Sequence, residues 1–272
     1  MPAEHRKADA PDTTQYWDSV SNTLASGPPN TVWRRHSDAV NELLLTRWLR
    51  KKRYPSLLKT DLFDESIGVG LCAFLSNYSE ELHGIDISEV CVQAAGKQYP
   101  NLRAKTGDVR DLPYSKGSFD CIVSNSTLDH FPVVEDIATS LGQLNQILRP
   151  GGDFIITLDN LQNPVIWLRS ILPNRWLHRM GVLPYYVGAT LTMRGLRNML
   201  IEAGYEIKAS TVILHCPRVV AIPLSGLIQK YCSERGQQRW LRALMAFEWL
   251  GRTPLRWLTG HFVAIHATKP VR

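Results

Sequence analysis

The chain has 272 residues, of which 44% are hydrophobic, and it carries a formal net charge of +6. This length and apolar content suit one large α/β domain with additions, and they exclude a largely disordered protein. No uncharged apolar run reaches the roughly 18 residues of a membrane span, and no secretory signal opens the chain. The sequence therefore predicts a cytoplasmic protein, either soluble or peripheral to a membrane.

The cysteine pattern indicates the same compartment. There are five cysteines, an odd number, and none of them forms a C-x-x-C pair. Such a pattern favours reduced thiols over disulfides or zinc ligands. No constellation of metal-ligating residues is visible, so no metal site is predicted.

The charge is divided unevenly along the chain. Residues 161–272 contain 15 Lys or Arg and 4 Asp or Glu, a net charge of +11, whereas residues 1–160 carry −5. This asymmetry suggests an acidic partner for the C-terminal third. An anionic membrane, an acidic acceptor and a face that meets only solvent are the alternatives.

Two helices are predicted before the first strand, over residues 14–24 and 36–50, with a Gly-Pro-Pro breaker between them. The second helix is amphipathic and should cover one edge of a sheet. We interpret residues 1–55 as an N-terminal helical cap.

Residues 58–86 read as a strand, a glycine turn, a helix and a second strand that ends in an acid. The first strand is predicted to end at Phe63, with Lys59 and Asp61 as a charged pair inside it. Gly68 and Gly70 would let the backbone approach a ligand, and Asp86 could accept hydrogen bonds from both hydroxyls of a ribose. This pattern alone leaves open a nicotinamide or flavin site, an S-adenosylmethionine site and an ordinary βα turn.

Five motifs in order resemble the class I S-adenosylmethionine-dependent methyltransferases. They are DESIGVG from Asp64, NLRAKTGDV from Asn101, SFDCIVSNS from Ser118, LDHF from Leu128 and LRPGGDFII from Leu148. The first departs from the family's D-x-G-x-G-x-G signature because Ser66 replaces the first glycine. The resemblance implies a Rossmann-like α/β fold with a seven-stranded, mostly parallel sheet and helices on both faces.

The resemblance also implies S-adenosyl-L-methionine as the cofactor. The positions that match the family's cofactor-binding motifs are Asp64, Ser66, Gly68, Gly70, Asp86, Ile87, Asp108, Val109 and Asn125. We interpret residues 56–160 as the core that binds this cofactor.

Residues 161–272 are interpreted as the acceptor-side half, with helical insertions at 161–192 and 217–258 and the last two strands. Open α/β sheets bind ligands outside the carboxyl ends of their strands, and N-terminal extensions in this family cap the cofactor pocket. The aromatic residues expected around the acceptor are Tyr16, Trp17, Trp167, Trp176, Tyr185 and Tyr186.

The implied activity is methyl transfer to a small-molecule or lipid-linked acceptor, at oxygen rather than nitrogen. His130, beside Asp129, is the candidate base or a pocket-shaping residue, and His36 is a second candidate. The alternatives are an RNA or protein methyltransferase, a nicotinamide-dependent oxidoreductase and a non-catalytic cofactor-binding module. No RNA-binding module is recognisable, so nucleic acid is the less favoured partner.

Overall fold

A computed structural model describes residues 14–27, 29–49, 53–172 and 185–271. Seven strands form its single sheet: β1 Tyr54–Lys59, β2 Ser79–Asp86, β3 Leu102–Thr106, β4 Phe119–Asn125, β5 Leu148–Asp159, β6 Glu206–Ile213 and β7 Phe262–Thr268. The spatial order is β3-β2-β1-β4-β5-β7-β6, and only β7 runs antiparallel to its neighbours. The predicted seven-stranded, mostly parallel fold is confirmed.

Helices flank the sheet and continue beyond it. They are α1 Thr14–Ser26, α2 Thr31–Trp48, α3 Phe63–Ile67, α4 Cys72–Leu75, α5 Glu89–Gln98, α6 Val134–Ile147, α7 Pro164–Ile171, α8 Met193–Glu202, α9 Arg218–Tyr231, α10 Glu234–Ala246 and α11 Arg256–Thr259. Two 3-10 segments cover Leu128–His130 and Phe247–Arg252. None of the described helices is both long and apolar enough to cross a bilayer.

Helices cover both faces of the sheet. Successive side chains of a strand point to opposite faces, so neighbouring residues of one strand pack against different helices. Leu58 of β1 packs in a cluster with residues of α6 and α8, and its neighbour Leu57 packs on the other face with residues of α2 and α5. The layers are therefore helix, sheet and helix.

The predicted end of the first strand is wrong. β1 stops at Lys59, and Phe63 already begins α3. The Lys59 ammonium reaches the Glu65 carboxylate at 2.8 Å and also donates to the backbone carbonyl of Asp61. The partner of Lys59 is therefore the Glu65 carboxylate, and the chain leaves the sheet directly after this lysine.

The two helical insertions lie at the carboxyl edge of the parallel strands. α7 follows the last residue of β5, Asp159, which is paired with Phe262 at the start of β7. Ile213 at the end of β6 is paired with the same Phe262, so α9 to α11 also leave from this edge. Ligands of open α/β sheets bind along this edge.

Candidate active site

A cleft opens at the carboxyl ends of β1 to β4, with an empty volume of about 760 Å³ counted to its mouth. Residues from six regions of the chain line it: Trp17, Ser21, Thr60, Asp61, Phe63, Asp86, Ile87, Ser88, Cys91, Gly107, Asp108, Val109, Thr127, His130, Phe131 and Tyr185. The segments that follow the strands supply all three carboxylates, and helix α1 and the segment after residue 184 add Trp17 and Tyr185.

Three carboxylates reach the cleft, one after each of β1, β2 and β3. Asp86 accepts the backbone N–H groups of Leu62 and Ser88, both at 2.8 Å, which fixes its carboxylate at the end of β2. Burial raises the pKa of Asp61 well above its usual range, and it also raises the pKa of Asp86. Two such carboxylates in one confined space favour a ligand that brings a positive charge or hydroxyl donors.

The third acid, Asp108, is held by Arg110, two residues further along the chain. Asp108 forms an ion pair with Arg110, and one of its oxygens also accepts the Arg110 backbone N–H at 2.8 Å. The carboxylate is therefore oriented by the turn that follows β3.

Hydroxyl groups connect the ends of β1 and β4. Thr60 donates to Ser124 Oγ at 2.9 Å, and its Oγ1 lies 3.0 Å from Thr127 Oγ1. This small network places two threonine side chains in the cleft lining beside Asp61.

Helix α1 covers one side of the cleft. Asp18 accepts from the Ser88 hydroxyl at 2.6 Å, and Ser21 Oγ lies 3.0 Å from Cys91 Sγ. These contacts fasten α1 to α5, so Trp17 stands at the cleft with its ring edge-to-face on His130 at 4.9 Å. The helical cap expected from the sequence thus contributes to the cleft wall.

His130 is positioned by the segment that begins at Tyr185. Its Nδ1 lies 3.1 Å from the carbonyl oxygen of Tyr186, and Ala189 N–H donates to Phe131 at 2.7 Å. A Cβ on Gly188 would stand 1.9 Å from the Phe131 oxygen, so only glycine permits this approach. With Nδ1 donating to the carbonyl, Nε2 is the basic atom of the neutral ring.

A buried acid lies behind His130. Asp129 accepts from the Ser126 hydroxyl at 2.8 Å and from Asp159 N–H at 3.1 Å, and burial raises its pKa. Its other oxygen, Oδ1, makes no hydrogen bond within the described part of the chain and lies 4.0 Å from His130 Nε2. That oxygen is placed to stabilise a protonated imidazole.

The turn at Gly70 packs against the buried carboxylate of Glu65. Gly70 has φ +58°, and a Cβ there would stand 2.5 Å from the Glu65 carboxylate. This turn lets the N–H groups of Leu71 and Cys72 donate to Glu65, at 2.8 and 3.1 Å. The Gly68 carbonyl accepts from Gln98 at the end of α5.

The structure brings seven of the sequence-selected residues into the cleft lining: Trp17, Asp86, Ile87, Asp108, Val109, His130 and Tyr185. Others lie outside that lining: Tyr16, His36, Asp64, Ser66, Gly68, Gly70, Asn125, Trp167 and Tyr186. Trp176 falls outside the described residues.

Several of the outlying residues have other partners. Asp64 is paired with Arg34 at 2.6 Å, and Asn125 donates to Asn41 at 3.0 Å. His36 is buried, with Nε2 3.3 Å from Cys216 Sγ, and burial lowers its pKa to about 4. Trp167 is 52% exposed on α7.

Sequence reasoning missed Thr60, Asp61, Phe63 and Thr127 as cleft residues. A signal was present, because a threonine and an aspartate directly after Leu58 and Lys59 are unusual within the strand of a parallel sheet. Moving the strand end back to Lys59 places both at the carboxyl edge.

Comparison with known proteins gives a consistent picture. A family model described as "Methyltransferase domain" matches residues 66–156. A probable S-adenosylmethionine-dependent methyltransferase of Mycolicibacterium smegmatis is 26% identical over 57% of this chain and 55% of its own length. A demethylmenaquinone methyltransferase of Chlorobaculum parvum is 26% identical over 58% of this chain and 64% of its own length. The chain therefore spans less than two thirds of these curated relatives.

Structural similarity covers more of the chain than sequence similarity does. The crystal structure of the [4+2]-cyclase SpnF superimposes with a TM-score of 0.62 at 18% identity, covering 97% of this chain and 98% of that one. At this identity the likeness concerns the fold, including the helices outside the matched domain.

Proposed function

We propose that this chain is a class I S-adenosylmethionine-dependent methyltransferase that transfers a methyl group to a hydroxyl oxygen of a small-molecule or lipid-linked acceptor. The methyltransferase-domain match over residues 66–156 and the S-adenosylmethionine-dependent relative support this. The observation that supports the proposal best is the cleft itself. Asp61, Asp86 and Asp108, at the ends of β1, β2 and β3, line it together with His130 and Trp17.

The donor set of the cleft fits the cofactor. S-adenosylmethionine brings an adenosine, a sulfonium that carries the transferable methyl group, and a zwitterionic amino-acid tail. Asp86 would accept from the ribose hydroxyls, and Asp108 with Val109 would contact the adenine. Asp61 would accept from the tail ammonium, because its carboxylate follows β1 and lines the same cleft.

The same acids disfavour a dinucleotide. A pyrophosphate would face Asp61 and Asp86, whose buried carboxylates would repel it. Of the glycines that would hold a pyrophosphate, Gly70 packs against Glu65 instead, and the carbonyl of Gly68 accepts from Gln98. The nicotinamide-dependent alternative is therefore not proposed.

His130 would act on the acceptor. Its Nε2 would take the proton of the acceptor hydroxyl as the oxygen bonds to the methyl carbon and the methyl–sulfur bond breaks, which would leave S-adenosylhomocysteine. Asp129 Oδ1, 4.0 Å from Nε2, would stabilise the imidazolium. Trp17, Phe63 and Tyr185 would exclude water from the reacting atoms. The name of one relative, a demethylmenaquinone methyltransferase, supports an acceptor of the small-molecule or lipid-linked class.

The test begins with calorimetry of S-adenosylhomocysteine and NAD. We expect binding of the first and none of the second, and Asp86→Ala should weaken S-adenosylhomocysteine binding by about 1.5–3 kcal/mol. Tight NAD binding without heat from S-adenosylhomocysteine would contradict the proposal.

Turnover is tested with tritiated S-adenosylmethionine on fractions of cell extract. The parent protein should label a small-molecule or lipid fraction, and His130→Gln should label it about 10²- to 10⁴-fold more slowly while retaining cofactor affinity. Label found only in RNA or protein would favour the macromolecular alternative.

A further inference from the structure

Exposed apolar side chains are concentrated on one part of the molecule. Of the seventeen large hydrophobic residues that are exposed in the described chain, thirteen belong to the two insertions. They are Val165, Trp167, Leu168, Ile171, Val219, Val220, Leu224, Leu227, Tyr231, Phe247, Trp249, Leu255 and Leu258. Exposed apolar clusters of this kind mark interaction surfaces.

A buried polar hub holds the insertion helices together. Asp159 at the end of β5 pairs with Arg169 of α7, and its Oδ1 lies 3.2 Å from His261 Nε2. Arg218, the first residue of α9, places its Nη1 2.6 Å from the same Nε2 of His261. The beginnings of α9 and β7 and the body of α7 therefore meet at Asp159.

A second set of contacts attaches α11 to the same place. Asn160 donates to the carbonyls of Trp257 and Gly260, at 2.8 and 2.9 Å. Asn163, the N-cap of α7, donates to Thr259 at 3.3 Å. Helices α7, α9 and α11 are therefore attached to the same edge of the sheet, and we call their exposed apolar residues the apolar platform.

The platform lies in a basic part of the chain. Arg169 is the one charged residue of α7, and its ion pair with Asp159 removes it from the surface. Residues 217–258 contain seven Lys or Arg and two Asp or Glu. One of these acids, Glu248, is occupied by the N–H groups of Leu214 and His215.

We propose that the apolar platform docks on an anionic lipid bilayer, with the side chains of α7, α9 and α11 entering the interface and the exposed arginines of residues 217–258 meeting lipid headgroups. Mixed aromatic, aliphatic and arginine surfaces bind lipid in this way. The further step, that the acceptor reaches the cleft from the bilayer, rests on the proposed function. The docking itself does not.

Charge decides between a bilayer and a second copy of the chain. A symmetric dimer would place the same patch on both sides of the interface, so the arginines of one copy would face those of the other. An anionic surface attracts the same charges, and its attraction weakens as salt screens it.

The experiment is vesicle flotation at low and high salt, with phosphatidylcholine alone and with phosphatidylglycerol added. The parent should float with the anionic vesicles, and less so at high salt. Trp167→Ser/Leu168→Ser should weaken this partition about tenfold or more, because two large side chains no longer enter the interface. Arg239→Glu/Arg242→Glu should abolish the preference for anionic lipid.

The matched control is Val69→Ser/Ile201→Ser, which removes two apolar residues of similar exposure outside the platform and should leave flotation unchanged. Calorimetry of S-adenosylhomocysteine on each variant separates the two proposals, since docking variants should retain it. Failure of the parent to float with anionic vesicles at low salt overturns the docking proposal. So does an equal loss in both apolar double variants, or a dimer in solution that depends on Trp167 and Leu168 without flotation.

Discussion

The ammonium of Lys59 lies 2.8 Å from the carboxylate of Glu65, and both side chains are almost completely buried. Breaking one half of such a pair leaves an uncompensated charge in the interior. We expect Lys59→Met and Glu65→Leu each to lower the free energy of unfolding by about 3–5 kcal/mol. The double variant should lose much less than the sum, because neither charge remains. Urea denaturation of all four proteins measures the coupling, and additive losses would show that the pair does not act as a unit.

Gly70 and Gly142 should respond in opposite directions to alanine. Gly70 has φ +58° and no room for a Cβ beside Glu65, so Gly70→Ala should cost about 2 kcal/mol or more. Gly142 lies within α6, and a Cβ there would meet no atom within 4 Å. Gly142→Ala should therefore raise stability by about 0.5–1 kcal/mol. Thermal unfolding distinguishes the two, and a neutral Gly70→Ala would remove the structural role that we assign to this turn.

Asp61 and Asp86 are proposed to hold different parts of the cofactor. S-adenosylhomocysteine carries the amino-acid tail, whereas 5′-methylthioadenosine lacks it. Asp61→Asn should weaken S-adenosylhomocysteine binding by about 1.5–3 kcal/mol and leave methylthioadenosine unchanged, whereas Asp86→Asn should weaken both.

The control for this pair is Asp64→Asn, since Asp64 is exposed and paired with Arg34. Calorimetry with both ligands should show no effect of this substitution. If Asp64→Asn weakens S-adenosylhomocysteine binding and Asp61→Asn does not, the sequence motif rather than the strand end marks the cofactor loop.

Asp38 of α2 gives the protein a pH-dependent stability. Burial, with the nearby Asp64 and Glu65 carboxylates adding to it, raises the pKa of Asp38 to about 7. The folded state therefore holds this proton more tightly than the unfolded state, so its stabilising contribution is present at low pH and is lost as pH rises from about 4 to about 7. Asp38→Asn should raise the free energy of unfolding at pH 8 by about 1–3 kcal/mol and have little effect at pH 4. Equal effects at both values would show that Asp38 titrates normally.

Much of the core architecture could be read from the sequence. The apolar strands, the cap residue Ser88 with helix α5, and the acids Asp86 and Asp108 after β2 and β3 are all local patterns. Local patterns are encoded in neighbouring residues, since side-chain alternation and capping depend on the next few positions. The seven-stranded sheet was implied by the resemblance of five such motifs, in order, to a known family.

The conformation of the loop after β1 could not be predicted from the sequence. In the sequence, Gly68 and Gly70 match a cofactor motif, and nothing local shows that Glu65 will turn inward to meet Lys59. That ion pair draws the glycine turn around Glu65 and leaves Thr60 and Asp61 at the cleft.

The sequence by itself determined the fold class, the order of the strands along the chain and two of the three acids at the cleft. Only the tertiary structure decided that Asp61 is the third, that Trp17 meets His130, and that Asp159 joins Arg169, His261 and, through His261, Arg218. These contacts join residues that are far apart in the sequence, and they form only when the helices pack on the sheet and bring charged groups together. An unpaired charge is too costly to bury, and the partner is chosen in space rather than along the chain.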